Sequence, residues 1–216
     1  MSRAARIAVG AAAAGAGLVA AYSKFVRPWA LRWGATAEEA ARPLPGDEVV
    51  ETANFVATRA ITIDAPPRDV WPWLVQIGSG RAGWYTYDRI DNAGVPSATR
   101  ILPELQQLKV GDLIPMVAGK DIGVWVKELE PDRRMLWWDG KGEYSWEWVL
   151  EPADGRTRLL NRLRATRHPW TRRMLYELVA ANADIVMQRK LLRGIKKRAE
   201  RLATHHRISG QETAAS

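Results

Sequence analysis

Cysteine is absent from the 216 residues, which excludes disulfide scaffolds, thiolate metal sites, cysteine nucleophiles and iron–sulfur clusters together. A chain without thiols is indifferent to its redox compartment. Histidine occurs only 3 times, at His168, His205 and His206, the last two in a polar tail, so no metal site is expected. No other cofactor is expected either. Phenylalanine occurs 2 times and tyrosine 5 times, against 11 tryptophans. That imbalance implies either an unusually aromatic core or an aromatic cavity wall.

Charged residues are 26% and hydrophobic ones 47%, an ordinary globular composition that excludes disorder throughout and leaves room for one domain with appendages. The net charge of +8 is unevenly placed. From Arg156 to Arg207 there are 15 Lys and Arg against 3 acids, a local +12 that leaves −4 for the remainder. The basicity points to an anionic surface facing the C-terminal quarter.

Ile7 to Tyr22 is 16 residues without a charge, bracketed by Arg3, Arg6, Lys24 and Arg27. It falls short of the roughly 20 residues that cross a hydrocarbon core. Three readings compete: a single-pass anchor followed at once by interfacial Trp29 and Trp33, a signal peptide with small residues at Val19-Ala20-Ala21, and a buried Ala/Gly helix. The first places the chain at a membrane, with the domain on the cytoplasmic side; the second would make it secreted. Residues 1–34 form this anchor or signal-like unit, and 35–53, carrying Pro43, Pro45 and Gly46, read as a linker.

From residue 54 the patterning is regular. FVATRAITID (Phe55 to Asp64) is a strand, and Pro67 opens a helix whose stripe Val70, Trp71, Leu74, Val75 and Ile77 stops at Gly78 and Gly80. Gly83 to Asn92 forms a short helix or turn. Strands follow at Gly123 to Glu130, Arg133 to Asp139, Tyr144 to Glu151 and Arg156 to Thr166. In the last pair, setting Trp146, Trp148 and Leu150 on one face with Leu159, Asn161 and Leu163 leaves Glu147 opposite Arg162 and Glu151 opposite Arg158. A slip by one residue would put arginines on the aromatic face. From Trp170 to about Thr204 one long amphipathic helix is expected, with residues 205–216 a disordered tail. A curved antiparallel sheet must cover its apolar face, and this helix can do so.

The order AITIDAPPRDVWPWLVQIG, GRAGWYTYDRIDN, KVGDLIPM, YSWEWVLEPADGRTRLLNRLR, MQRKLLRGIKKRAE resembles the SRPBCC superfamily (START-like, birch-pollen-allergen-like). Within it, the chain is similar to polyketide cyclase/dehydratase-type proteins that carry an N-terminal hydrophobic segment. The resemblance covers 54–204 and implies an α+β helix-grip fold: a seven-stranded antiparallel sheet around the C-terminal helix, enclosing a cavity for apolar ligands. The superfamily mixes binders and cyclases, so the fold alone does not choose a function.

A hydrophobic small molecule or lipid is the expected partner, held by Trp84, Tyr85, Tyr87, Asp88, Trp146 and Trp148. For those aromatics the rival reading is plain core packing. No two acid, base or nucleophile candidates show a catalytic spacing, so no catalysis is expected; Asp88 and Tyr87 are what an aromatase/cyclase-type enzyme would use. A structural role beside a membrane protein is a third reading. Arg189, Lys190, Arg193, Lys196, Lys197 and Arg198 form a basic helix face suited to a membrane surface. No nucleic-acid partner is expected, because no aromatic interleaving or recognised motif accompanies the charge.

Overall fold

Alternation of apolar and polar residues builds an antiparallel sheet in order β1-β6-β5-β4-β3-β2. The strands are β1 (Phe55–Ile63), β2 (Leu113–Pro115), β3 (Gly123–Glu130), β4 (Arg134–Trp138), β5 (Tyr144–Ala153) and β6 (Arg156–Ala165). The computed structural model describes Ser2, Gly17, residues 21–166 and residues 173–214. Most of the apolar run Ile7 to Tyr22, and with it the expected N-terminal hydrophobic helix, lies outside those residues, as does His168. Among the described residues no helix is long and apolar enough to cross a membrane.

The β5–β6 register pairs Trp146 with Leu163, Trp148 with Asn161 and Glu147 with Arg162, as the face argument requires. Adjacent Trp137 and Trp138 take opposite faces: Trp137 is buried in the core, and Trp138 lies under Lys127 Nζ at 4.2 Å. A bulge between Val126 and Glu128 bends β3. Six strands are present among the described residues, where the family resemblance implied seven. The stretch before β2 holds Pro96 and Pro103 and contributes only a 3-10 turn at Pro103–Leu105.

The helices are α1 (Arg27–Leu31), preceded by a π-helical turn at Tyr22–Val26, α2 (Ala37–Ala41), α3 (Pro67–Val75), α4 (Asp88–Asp91) and α5 (Arg173–Ala214). Helix α5 carries Leu191, Leu192, Ile195, Ala199 and Ala203 into the core of the sheet. The sheet and this helix make the helix-grip arrangement. Helix α5 also runs past the expected end near Thr204 and through most of the expected tail, because no proline interrupts it and His206 finds Asp69 at 2.9 Å.

Residues 36–50, read as a linker, fold across the outer face of β5 and β6 as a strap. Thr36 and Glu39 close a capping box on α2, and a 3-10 turn follows at Asp47–Val50. The strap takes over the partners expected within the sheet. Arg162 donates to Asp47 Oδ2 at 2.8 Å and to the carbonyls of Glu39, Ala40 and Arg42, so it does not pair with Glu147. Arg158 grips both carboxylate oxygens of Glu39 at 2.7 and 2.8 Å, and Glu151 pairs with Arg42. Gly46 passes so close that a Cβ there would lie 2.8 Å from Leu136 Cδ2, at φ +90°.

The N-terminal side is tied down too. Buried Arg59 on β1 donates to Ala30 O at 3.0 Å and to Asp184 Oδ2 on α5 at 2.7 Å, and Ala60 N donates to Trp33 O at 3.1 Å. The segment from Arg27 to Trp33 is thereby part of the domain.

Candidate ligand-binding site

The chain from Gly83 to Ser97 is knitted by its own side chains. Tyr85 N donates to Ser97 Oγ at 3.0 Å, Ser97 Oγ donates to Asp88, Thr86 Oγ1 donates to the Asp91 carboxylate, and Asn92 Nδ2 donates to Val95 O at 2.7 Å. Tyr85 sits at φ +56°, a region that bulky residues rarely enter and that tends to mark functional positions. Its hydroxyl is sealed in the core, accepting from Gln76 Nε2 at 2.9 Å and donating to Trp73 O at 3.1 Å. Burial pushes that phenol well above its ordinary range. Tyr85 therefore offers a ring face and no proton.

Helix α5 supplies the opposite wall. Gly194 makes the approach possible: a Cβ there would lie 2.5 Å from Tyr85 O and 2.7 Å from Tyr85 Cβ. Glycine inside this helix thus has a packing reason, as the point where the helix meets Tyr85. Between these walls lies a cleft of about 550 Å³. Tyr85, Tyr87, Asp88 and Ser97 line one side, and Val186, Arg189, Lys190, Arg193, Lys197 and Arg198 the other.

Two sets of residues that the sequence reading kept apart therefore meet. Tyr85, Tyr87 and Asp88 from the ligand-binding set face Arg189, Lys190, Arg193, Lys197 and Arg198 from the membrane-surface set. Their contacts are specific: Lys190 Nζ lies 3.9 Å from the Tyr87 ring centre and the Arg198 guanidinium 4.2 Å from that of Tyr85. Arg189 stacks near Trp29 and Trp33, and Arg193 near Trp33. Lys196 stands apart, paired with Glu200 at 2.8 Å and Asp64 at 3.6 Å. Ser97, Val186, Gly194 and the Trp29–Trp33 stretch were not anticipated in the site. A usable signal existed in the spacing of residues 186, 190, 193 and 197, which is one helix face.

Trp84, Trp146 and Trp148 lie elsewhere. Trp84 stacks on Trp146 with centroids 5.8 Å apart, Trp146 on Trp148 at 5.3 Å, and Trp137 meets Trp146 edge-on at 5.2 Å. All four are buried, and such pairs add about 0.5–1.5 kcal/mol each beyond burial. Among the described residues, the indole N–H groups of Trp137, Trp146 and Trp148, with Asn161 Oδ1 and Arg59 Nη1, have no hydrogen-bond partner.

Burial first, and then the neighbouring Asp88 carboxylate, pushes the Asp91 carboxyl up to about 6. Burial lowers Arg198, although Tyr85 and Asp88 pull the other way. Among the described residues no group of three or more His, Asp or Glu side chains could hold a metal ion.

No protein-family model and no curated protein matches the chain. Solved structures do. A polyketide-cyclase-like protein from Corynebacterium glutamicum is 17% identical over 73% of this chain and 94% of its own, with a TM-score of 0.34. The Aha1 dimer of Colwellia psychrerythraea is 15% identical over 66% and 96%, with a TM-score of 0.39. An AHSA1-like protein from Rhizobium etli is 16% identical over 67% and 84%, with a TM-score of 0.37. None of these likenesses bears on ligand or chemistry, which rest on the side chains of this chain.

Proposed function

We propose that this chain binds a hydrophobic small molecule or lipid with a polar end, at a membrane surface and on its cytoplasmic side, without chemistry of its own. The observation that carries the reading is the 550 Å³ cleft that joins exposed aromatic and aliphatic surface to cationic groups. Its volume suits a small-molecule ligand, Tyr87 and Val186 give an apolar body somewhere to lie, and the α5 cations suit an acidic end. The basic face also supports placement against the anionic inner leaflet.

Binding of a panel of fatty acids, sterols and aromatic polyketides, followed by intrinsic fluorescence and thermal shift, tests this. Wild-type protein should respond to at least one class, and Val186→Arg, which fills the apolar wall, should weaken that response about tenfold, or 1.4 kcal/mol. A flat response to the whole panel sinks the reading.

A second reading, an aromatase/cyclase-type enzyme acting on a polyketide-like substrate, is favoured by one observation. The Asp91 carboxyl is half-neutral near pH 6, in the range useful to a general acid, and stands behind Asp88 at the cleft. Turnover that Asp88→Asn abolishes while binding persists would favour the enzyme over the binder.

A further inference from the structure

We propose that the cleft is a phosphate site, built for a phosphate monoester carried on an apolar body, with Lys190, Arg193 and Lys197 as its ligands. The inference rests on the binding reading above and names the polar end that the cleft takes.

The first argument is charge balance on a single helix. Lys196 and Lys197 are neighbours in sequence and point to different surroundings. Lys196 is neutralised by Glu200 and Asp64 and donates to Thr62 O at 2.7 Å. Among the described residues, Lys190, Arg193 and Lys197 have no carboxylate within ion-pair distance. The cleft gathers five cations against one carboxylate in its lining, Asp88, which acts on Arg198, while Asp91 just behind it acts on Lys190, so positive charge stays in excess. Like charges at i, i+3 and i+4 on one face repel, and a helix face that keeps cations in excess of the acids around it is poised for an anion.

The second argument is the number of donors. A carboxylate ligand would answer one cation. A phosphate monoester carries about −1.5 to −2 charges and three acceptor oxygens, which matches donors arriving from successive turns at residues 190, 193 and 197. The aromatic contacts hold the cations in place: Lys190 over Tyr87 and Arg193 beside Trp33. Such pre-ordering lowers the entropy lost on binding.

The third argument separates an apolar phosphate from a bare one. Around the cationic centre Val186 is 52% exposed and Tyr87 39%, and the same segment carries Ile90 at 74% and Val95 at 61%. Free phosphate has no use for this apolar surface. An alkyl phosphate, or a phosphate headgroup in a bilayer, would cover it.

Calorimetric titration of the full-length protein with octyl phosphate, octanol and inorganic phosphate decides the matter, beside vesicles of phosphatidylcholine with and without phosphatidic acid. Octyl phosphate should bind at least tenfold tighter than octanol. The triple variant Lys190→Ala, Arg193→Ala, Lys197→Ala should bring it to the octanol level, while Lys127→Ala, on the opposite face of the sheet, changes nothing. Equal binding of octyl phosphate and octanol overturns the phosphate site but leaves apolar binding standing; binding of neither, with no response to phosphatidic acid vesicles, overturns both. Inorganic phosphate binding as tightly as octyl phosphate supports the phosphate ligands but overturns the apolar half of the proposal. Response to phosphatidic acid vesicles alone, lost in the triple variant, supports the site and assigns it to a lipid headgroup. Should the triple variant fail to fold, Lys197→Gln alone should still weaken octyl phosphate severalfold, and an unchanged affinity would overturn the assignment.

Discussion

Glu147 is buried between Arg134 and Arg162 on the outer face of the sheet, yet among the described residues only Arg134 reaches it, at 3.4 Å, and its Oε2 has no partner. Burial pushes its carboxyl up from an ordinary 4.5 to about 8, against the pull of Arg134. From about pH 4.5 to 8 the folded chain thus keeps a proton that the unfolded chain has released. Over that window this group makes stability fall as pH rises, with no further change above it. Glu147→Gln removes the titration. Its melting temperature should gain on wild type steadily between pH 5 and 8; a gap that does not vary with pH would show that the carboxyl titrates normally. The residue scale also marks where sequence reasoning stopped short. Opposite-charge neighbours in register looked like pairs, and the register was right, but Arg162 was claimed by Asp47, some 115 positions away in the chain.

At the scale of elements, the strap from Thr36 to Val50 accounts for that difference. Strands and helices announce themselves by period; a strap held by side-chain hydrogen bonds to carbonyls has none, and Pro43, Pro45 and Gly46 resemble a linker. The β5–β6 face, the α3 stripe and the long terminal helix were legible because burial on one side imposes alternation or a 3.6-residue repeat. The cleft was half legible. The YTYD segment and the basic helix each stood out, but the contact between them depends on Gly194 meeting Tyr85, a juxtaposition no local pattern encodes. If the strap is integral, removing its central donor must release it. Arg162→Leu should cost about 3–5 kcal/mol, since it takes this donor from the carbonyls of Glu39, Ala40 and Arg42, at about 1–3 kcal/mol for each one left unsatisfied, and removes from half-buried Asp47 its nearest cation while leaving it Leu44 N; it should also expose residues 36–50 to limited proteolysis. A variant that stays protease-resistant with a loss under about 1 kcal/mol would make the strap ornamental.

Across the whole molecule, a local +12 on the C-terminal quarter opposes −4 elsewhere, so the protein has a directional field. Cosedimentation of the full chain with anionic vesicles should exceed that of the Lys190, Arg193, Lys197 alanine variant at about 50 mM salt and match it at about 500 mM, where screening shortens to a few ångströms. Equal sedimentation at low salt would place the attraction elsewhere in the chain. The strap adds a mechanical side to this layout. Chain leaving the N-terminal segment crosses α1, the Trp33 to Ala60 hydrogen bond and the strap before it enters β1. A pull on a tether there would be carried by the guanidinium groups of Arg59, Arg158 and Arg162, loaded in shear across the sheet, before β1 could be peeled from its edge. A cut within residues 36–50 would remove that load path while leaving the strands joined.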